Sequence, residues 1–263
     1  MILNFINWNV DPEIFHIGPI HIRYYGLFFA LAFYLGYVIF GKFLKKEGHP
    51  LEWLDSLLLY MVIATIIGAR LGHCLFYEPD YYLSNPIEIL KIWKGGLASH
   101  GGAIGIMIAL YLWTRKYKMP FFWLVDRVAI VTALGGFFIR MGNLMNSEIY
   151  GRETSLPWGF IFVRNNEIVP KHPTQIYEAL SYLIIFLILL MIYYRKDAKI
   201  YKGYLFSLFM ILIFGVRFLV EFIKEPQVEF ENNMILNMGQ LLSIPFIILG
   251  VVMLVISLKK KQV

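Results

Sequence analysis

Seven stretches of this chain are apolar for about as long as a helix needs to cross a bilayer: residues 20–43, 53–76, 97–113, 121–142, 175–194, 201–222 and 238–258. A hydrocarbon core about 30 Å thick takes about 20 apolar residues; the third stretch is the shortest. Inside lipid, every backbone N–H and C=O must be satisfied within its own segment, so apolar runs of this length fold as helices. Composition agrees, because 59% hydrophobic and 16% charged residues is more apolar than a soluble domain tolerates. The chain reads as an all-α integral membrane protein: a single polytopic transmembrane domain over residues 1–263, a bundle of about seven transmembrane helices. The opening residues carry no basic leader and no small-residue cleavage site, so the first span reads as retained. No repeat, low-complexity segment or long linker divides the chain, and Cys74 as sole cysteine excludes an intrachain disulfide framework and a multi-cysteine metal site.

Lysine and arginine alternate between connections. After the first, third, fifth and seventh spans come thirteen: Lys42, Lys45, Lys46, Arg115, Lys116, Lys118, Arg195, Lys196, Lys199, Lys202, Lys259, Lys260 and Lys261. The other connections hold six: Lys91, Lys94, Arg152, Arg164, Lys171 and Lys224. Those segments also hold most of the acids, among them Asp11, Glu13, Glu78, Asp80, Glu225, Glu229 and Glu231. The positive-inside rule then places the N-terminus outside and the C-terminus in the cytoplasm. Cytoplasmic anchors account for the net charge of +6, which gives no reason to invoke nucleic acid.

On that orientation the unusual polar residues fall at one level, toward the outer side. Tyr25 opens the first span, Arg70 ends the second and His100 opens the third. Arg140, Asn143, Asn146 and Glu148 close the fourth, and Arg217 and Glu221 lie near the outer end of the sixth. Each has a bland explanation: an i,i+4 ion pair for Arg217 and Glu221, snorkelling for Arg140, a satisfied helix-end histidine for His100. Together they suit a shared anionic ligand, since guanidinium groups bind phosphate through paired, charge-assisted bonds and stay charged when partly desolvated. Two arginines suggest a phosphodiester, and Asn143, Asn146 and Glu148 can orient them or accept hydroxyl protons of a polyol headgroup. Gly68 and Gly72, with Gly101 and Gly105, have the spacing of close helix packing. Gly101 and Gly102 also stand at a helix start, where exposed amides favour anions.

The segment "RMGNLMNSEIYG" resembles the signature of the bacterial prolipoprotein diacylglyceryl transferase family, Arg-x-Gly-Asn-x-x-Asn-x-Glu-x-x-Gly, with Arg140, Gly142, Asn143, Asn146, Glu148 and Gly151 in place. "RYYG", "GARLGHCLFY", "SHGGAIG", "HPTQIYE" and "RFLVEFIKEP" resemble the family's other blocks in order, from Arg23 to Pro226. Lys224 departs from a pattern that often has arginine, so no role is carried over to it. The resemblance implies transfer of the diacylglyceryl group from phosphatidylglycerol to the lipobox cysteine thiol of a preprolipoprotein, at the bacterial cytoplasmic (inner) membrane. It implies phosphate binding at Arg140 and headgroup contacts from Asn143, Asn146, Glu148 and Gly151. It further implies leaving-phosphate stabilisation by Arg217 oriented by Glu221, His100 as general base and Tyr25 as a positioning group. A free thiol titrates near 8.5 and an imidazole near 6.5, so a neutral histidine gives adequate help. Attack falls on carbon, so no metal or other cofactor is expected, and the sequence has no metal-ligand spacing. The alternatives are another intramembrane phospholipid headgroup transferase, for which no nucleophile is evident, and a lipid transporter, which would spread its polar groups through the whole depth.

Overall fold

The structure, a computed structural model, describes residues 5–18, 20–196, 202–226, 231 and 234–259. Residues 1–4, Lys199, Tyr201, Glu229, Lys260 and Lys261, used in the sequence reading, lie outside the described residues. The fold is mostly helical: α1 (Tyr24–Lys46), α2 (Glu52–Phe76), short α3 (Pro79–Ser84), α4 (Ser99–Tyr117), α5 (Phe121–Met145), α6 (Thr174–Arg195), α7 (Tyr204–Val220) and α8 (Met238–Lys259). Six of these, all except α3 and α4, are long and apolar enough to cross a membrane, α7 with its 3-10 continuation to Ile223. Helix α4 has 19 residues, but it opens on Ser99-His100-Gly101-Gly102 and ends on Arg115 and Lys116, which lowers its apolarity.

Helix ends follow local chemistry. Helix α2 starts with Glu52 and Asp55 in its first turn, and α1 and α4 finish on Lys45–Lys46 and Arg115–Lys116, each sign complementing the helix dipole. After α1 the chain reverses at Gly48, φ 72°, with the His49 amide donating to the Leu44 carbonyl at 2.9 Å.

Residues 20–23 are not the first turn of a span, as the apolar window had them. They form strand β3 (Ile20–Arg23), which pairs antiparallel with β2 (Glu13–Ile17). Ile20 and Ile22 alternate with His21 and Arg23, a period-two pattern that a hydropathy window averages away. A second, parallel pair joins β1 (Ile6–Trp8) to β4 (Phe160–Phe162).

Two compact units are distinguished, Phe40–Val125 on the one hand and Met1–Ile39 with Asp126–Val263 on the other. In the first, α2 packs on α4 through glycines. A Cβ on Gly101 would lie 2.2 Å from the Gly68 carbonyl oxygen, and one on Gly72 would lie 2.7 Å from the Gly101 Cα. Only hydrogen fits between these backbones. The Gly102 amide donates to the Ala98 carbonyl at 3.1 Å and both Gly101 and Gly102 are buried, so packing, not an open anion nest, explains the pair.

Arg70 is also structural in its contacts. Buried near the end of α2, it donates to the carbonyls of Ile89 (2.8 Å), Gly95 (2.6 Å) and Glu88 (2.6 Å) and lies 4.9 Å over the Tyr82 ring. It clamps the loop between α3 and α4, and so leaves the set of ligand-binding arginines.

In the larger unit α1 meets α5 at Gly36–Val131 and Phe28–Phe138, while α7 packs along α8 and against α6. Beyond the end of α5, Phe160 and Phe162 of β4 bury with Leu144, backed by Trp8, Met141, Tyr150 and Ile176. Trp8 Nε1 donates to the Leu144 carbonyl at 3.0 Å. This apolar platform holds the chain that leaves α5.

Candidate active site

The signature segment straddles the end of α5. Arg140 and Asn143, three residues apart, share a face of its last turns, and Arg140 NH1 donates to Asn143 Oδ1 at 3.1 Å. The chain then turns back on itself with Ser147 at φ 54° and Ile149 at φ 60°. A β-branched residue in the left-handed region is strained by about 1–3 kcal/mol, and such strain persists only where surroundings over-determine it. Here Gln175 Nε2 donates to the Glu148 carbonyl at 2.7 Å, Thr174 Oγ1 to the Ile149 carbonyl at 2.8 Å, and Asn165 Nδ2 to the Ser147 carbonyl at 2.7 Å. The turn folds the Glu148 carboxylate toward α5, where it accepts from Asn143 Nδ2 at 2.7 Å and Asn146 Nδ2 at 3.3 Å.

Both signature glycines are steric requirements. A Cβ on Gly142 would stand 2.7 Å from the Tyr25 ring, so that ring lies flush against α5, within electrostatic range of Glu148 and Arg140. A Cβ on Gly151 would stand 2.5 Å from the Ile223 carbonyl oxygen and 2.8 Å from His172 and Thr174. Gly151 is buried in a backbone joint, its amide donating to the His172 carbonyl at 2.8 Å and its chain bridging to Lys224. Beside it, burial lowers the His172 imidazole below its ordinary range, so this histidine is neutral at pH 7.

The last residue of the "HPTQIYE" block, to which the sequence assigns no role, lies at the centre. Glu178, fully buried in α6, places Oε2 2.9 Å from Arg140 Nε and Oε1 3.0 Å from Lys224 Nζ, and accepts from the Tyr182 hydroxyl at 3.3 Å. Lys224 Nζ is also 3.1 Å from Glu221 Oε2. Glu221 therefore pairs with Lys224, and the expected Arg217–Glu221 pair is not formed. The cause is visible after α7: the chain continues as a 3-10 turn over Glu221–Ile223, which brings Lys224 at i+3 under the carboxylate. Arg217 lies within electrostatic range of Tyr182, and its Nε is buried with no hydrogen-bond partner among the described residues. Gly239 of α8 makes room for the Glu221 carboxylate, since a Cβ there would come within 2.4 Å of it.

Three cations, Arg140, Arg217 and Lys224, thus gather with three carboxylates, Glu148, Glu178 and Glu221. An ion taken alone into low dielectric costs several kcal/mol, so the charges persist by compensating one another. Glu178 was legible in principle, because a carboxylate inside an apolar span demands a partner. Tyr25, Arg140, Asn143, Asn146, Glu148 and Glu221 are brought into one unit with Arg217. His100 is the second residue of α4, exposed, and belongs to the other unit.

These features define a polytopic membrane protein with a buried, charge-compensated ionic site at the ends of its spans. A family model described as prolipoprotein diacylglyceryl transferase matches residues 12–256. The chain belongs to the prolipoprotein diacylglyceryl transferase family. It is 49% identical over 255 residues to the phosphatidylglycerol–prolipoprotein diacylglyceryl transferase of Tolumonas auensis, covering 97% of this chain and 98% of that protein. It is 44% identical to the proteins of the same name from Chloroherpeton thalassium and Bacteroides fragilis, with 98% of this chain and 97% of each relative aligned.

Proposed function

We propose that this chain moves the diacylglyceryl group of phosphatidylglycerol to the lipobox cysteine thiol of a preprolipoprotein and releases glycerol phosphate. The observation that carries this reading is the Arg140 guanidinium. Glu178 takes Nε at 2.9 Å and Nη2 at 3.5 Å, and Asn143 takes Nη1 at 3.1 Å, beside the strained signature turn; the five N–H donors of a guanidinium exceed these bonds. The thiol sulfur attacks the glyceryl carbon that bears the phosphate. A C–S bond forms, the C–O bond breaks, and its electron pair leaves with the phosphate monoester. Arg140 binds that phosphate as a fork, and the uncommitted Nε–H of Arg217 meets the charge that grows on it. Asn143, Asn146 and Glu148 face the glycerol headgroup, and Tyr25, seated on Gly142, positions it. His100 takes the thiol proton. Glu221 acts through Lys224, which it holds against Glu178.

The same reading treats residues 1–263 as one polytopic domain with α4 as a seventh crossing, the N-terminus outside and the C-terminus in the cytoplasm. At about 1.5 Å per residue the 19 residues of α4 extend about 28 Å, nearly the full hydrocarbon thickness. The ionic cluster joins the C-terminal ends of α5 and α7 to the N-terminal end of α6, the side away from the lysine- and arginine-rich connections. That supports a site facing the outer leaflet of the bacterial inner membrane, where both membrane-anchored partners enter laterally.

Purified protein incubated with phosphatidylglycerol and a lipobox peptide is expected to add one diacylglyceryl group to the cysteine by mass spectrometry; no gain in mass overturns the reading. His100→Gln is expected to lose most activity at neutral pH. It should recover part of it as pH approaches the thiol's own pKa of about 8.5, where thiolate forms unaided. An equal relative loss at every pH removes His100 as base.

A further inference from the structure

Apart from the ionic cluster, one set of groups able to ligate a metal comes together among the described residues: Glu13, His16 and His21 on the β2–β3 hairpin. Sequence spacing hides it. In a regular strand, side chains alternate faces, so Glu13 and His16, three apart, would point to opposite sides. The pairing shifts register between them: Glu13 faces Arg23, whereas Phe15 faces Ile22 and His16 faces His21. That bulge adds one residue to β2 and re-aims Glu13 onto the face of the cross-strand histidine pair. Its Oε1 lies 3.0 Å from His16 Nδ1 and its Oε2 2.6 Å from His21 Nδ1. One donor atom from each of the three residues lies within 4.8 Å of the others.

We propose that Glu13, His16 and His21 bind one divalent late first-row transition-metal ion, with Zn²⁺ as the representative. Zinc bonds of about 2.0–2.1 Å in tetrahedral geometry set ligand atoms about 3.3 Å apart; the carboxylate oxygens lie 3.0 and 2.6 Å from the two imidazole nitrogens and all three donors lie within 4.8 Å of one another, so side-chain rotation alone can bring them to that spacing. Two imidazoles and one carboxylate form a zinc donor set, and the nitrogens select against Mg²⁺ and Ca²⁺. The histidine side chains are 66% and 51% exposed, which leaves the ion open to entry and its remaining position to water. Asp11 is not a fourth ligand. Its Oδ1 accepts from the Glu13 amide at 2.9 Å and its Oδ2 pairs with Arg164 at 3.2 Å, fixing the start of the hairpin instead. Strand β3 runs directly into α1, whose second residue is Tyr25, and the Tyr24 amide donates to the Pro12 carbonyl at 3.0 Å. A bound ion therefore ties down the segment that delivers Tyr25.

The test uses the full chain purified on a histidine-free tag, stripped with chelator and titrated with Zn²⁺. Calorimetry and elemental analysis are expected to find one zinc per chain that the His16→Ala/His21→Ala double variant lacks. Either single histidine variant should bind about tenfold more weakly or worse, since losing even an outer partner of a metal ligand costs 10–100-fold. A second measurement needs no variant: Zn²⁺ is expected to protect His16 and His21 from diethylpyrocarbonate, read by peptide mass mapping. Equal zinc binding by wild type and double variant, or unchanged modification of both histidines with Zn²⁺ present, overturns the proposal.

Discussion

Arg140 divides its guanidinium between a charged and a neutral neighbour: Nε faces the Glu178 carboxylate at 2.9 Å and NH1 donates to Asn143 at 3.1 Å. Lysine at this position keeps a cation for Glu178 but cannot reach both partners, and it loses the planar fork. Arg140→Lys is therefore expected to fold, while transfer and phosphatidylglycerol binding fall roughly ten- to a hundredfold, the equivalent of a lost charged hydrogen bond at about 1.5–3 kcal/mol. Arg152→Lys is the comparison: Arg152 is exposed and its Nε makes a 3.3 Å bond to the Lys224 carbonyl, so the change should alter turnover little. Near-normal turnover by Arg140→Lys would remove the phosphate-fork role. Lys224 illustrates the reverse preference. A point-like ammonium between two carboxylates, at 3.0 and 3.1 Å, needs no fork, so the departure from arginine matches its surroundings here. Asn143, Asn146 and Glu148 could be read from sequence because their bonds are local. Glu178 could not be placed, because its partners Arg140 and Lys224 lie on other elements.

At the scale of elements, the apolar windows match the helices wherever lipid-facing length dominates: α2, α5, α6 and α8 begin and end within a few residues of them. They fail at residues 20–23, where pairing with β2 overrides hydropathy, and they contain no sign of β1–β4, whose strands are separated by more than half of the chain. Long-range pairing and a one-residue bulge leave no periodic trace. The glycine seam between α2 and α4 did leave one, and it supports a matched pair of substitutions. Gly101→Ala would force a Cβ to within 2.2 Å of a backbone oxygen of α2, which cannot swing aside. Gly102→Ala meets nothing nearer than 3.6 Å, an ordinary contact with Ala69. Overpacking costs about 1–3 kcal/mol, so Gly101→Ala is expected to lower the unfolding midpoint in mixed micelles clearly and Gly102→Ala to leave it nearly unchanged. Equal midpoints would mean that the seam is looser than the backbone approach implies.

For the whole molecule, the parity of the crossings decides which side of the membrane the site faces. Six helices pass as spans by length and apolarity, and an even number would leave both ends of the chain on one side. Charge distribution argues otherwise, because Arg115, Lys116 and Lys118 follow α4 just as Lys42, Lys45 and Lys46 follow α1, and such clusters resist export. If α4 crosses, Lys116 lies in the cytoplasm and Glu153, after α5, lies outside. If α4 stays on one face, both assignments invert together and the ionic cluster moves to the cytoplasmic side. Cysteines at these two positions discriminate the cases in a Cys74→Ser background, where each introduced thiol is the only one in the chain. Lys116 and Glu153 are both exposed, so the protein itself shields neither from reagent. With an impermeant maleimide on intact cells, Glu153→Cys is expected to react at once and Lys116→Cys only after lysis. Reaction of Lys116→Cys in intact cells, or of Glu153→Cys only after lysis, would overturn this arrangement and put the headgroup site against the wrong leaflet for an exported substrate.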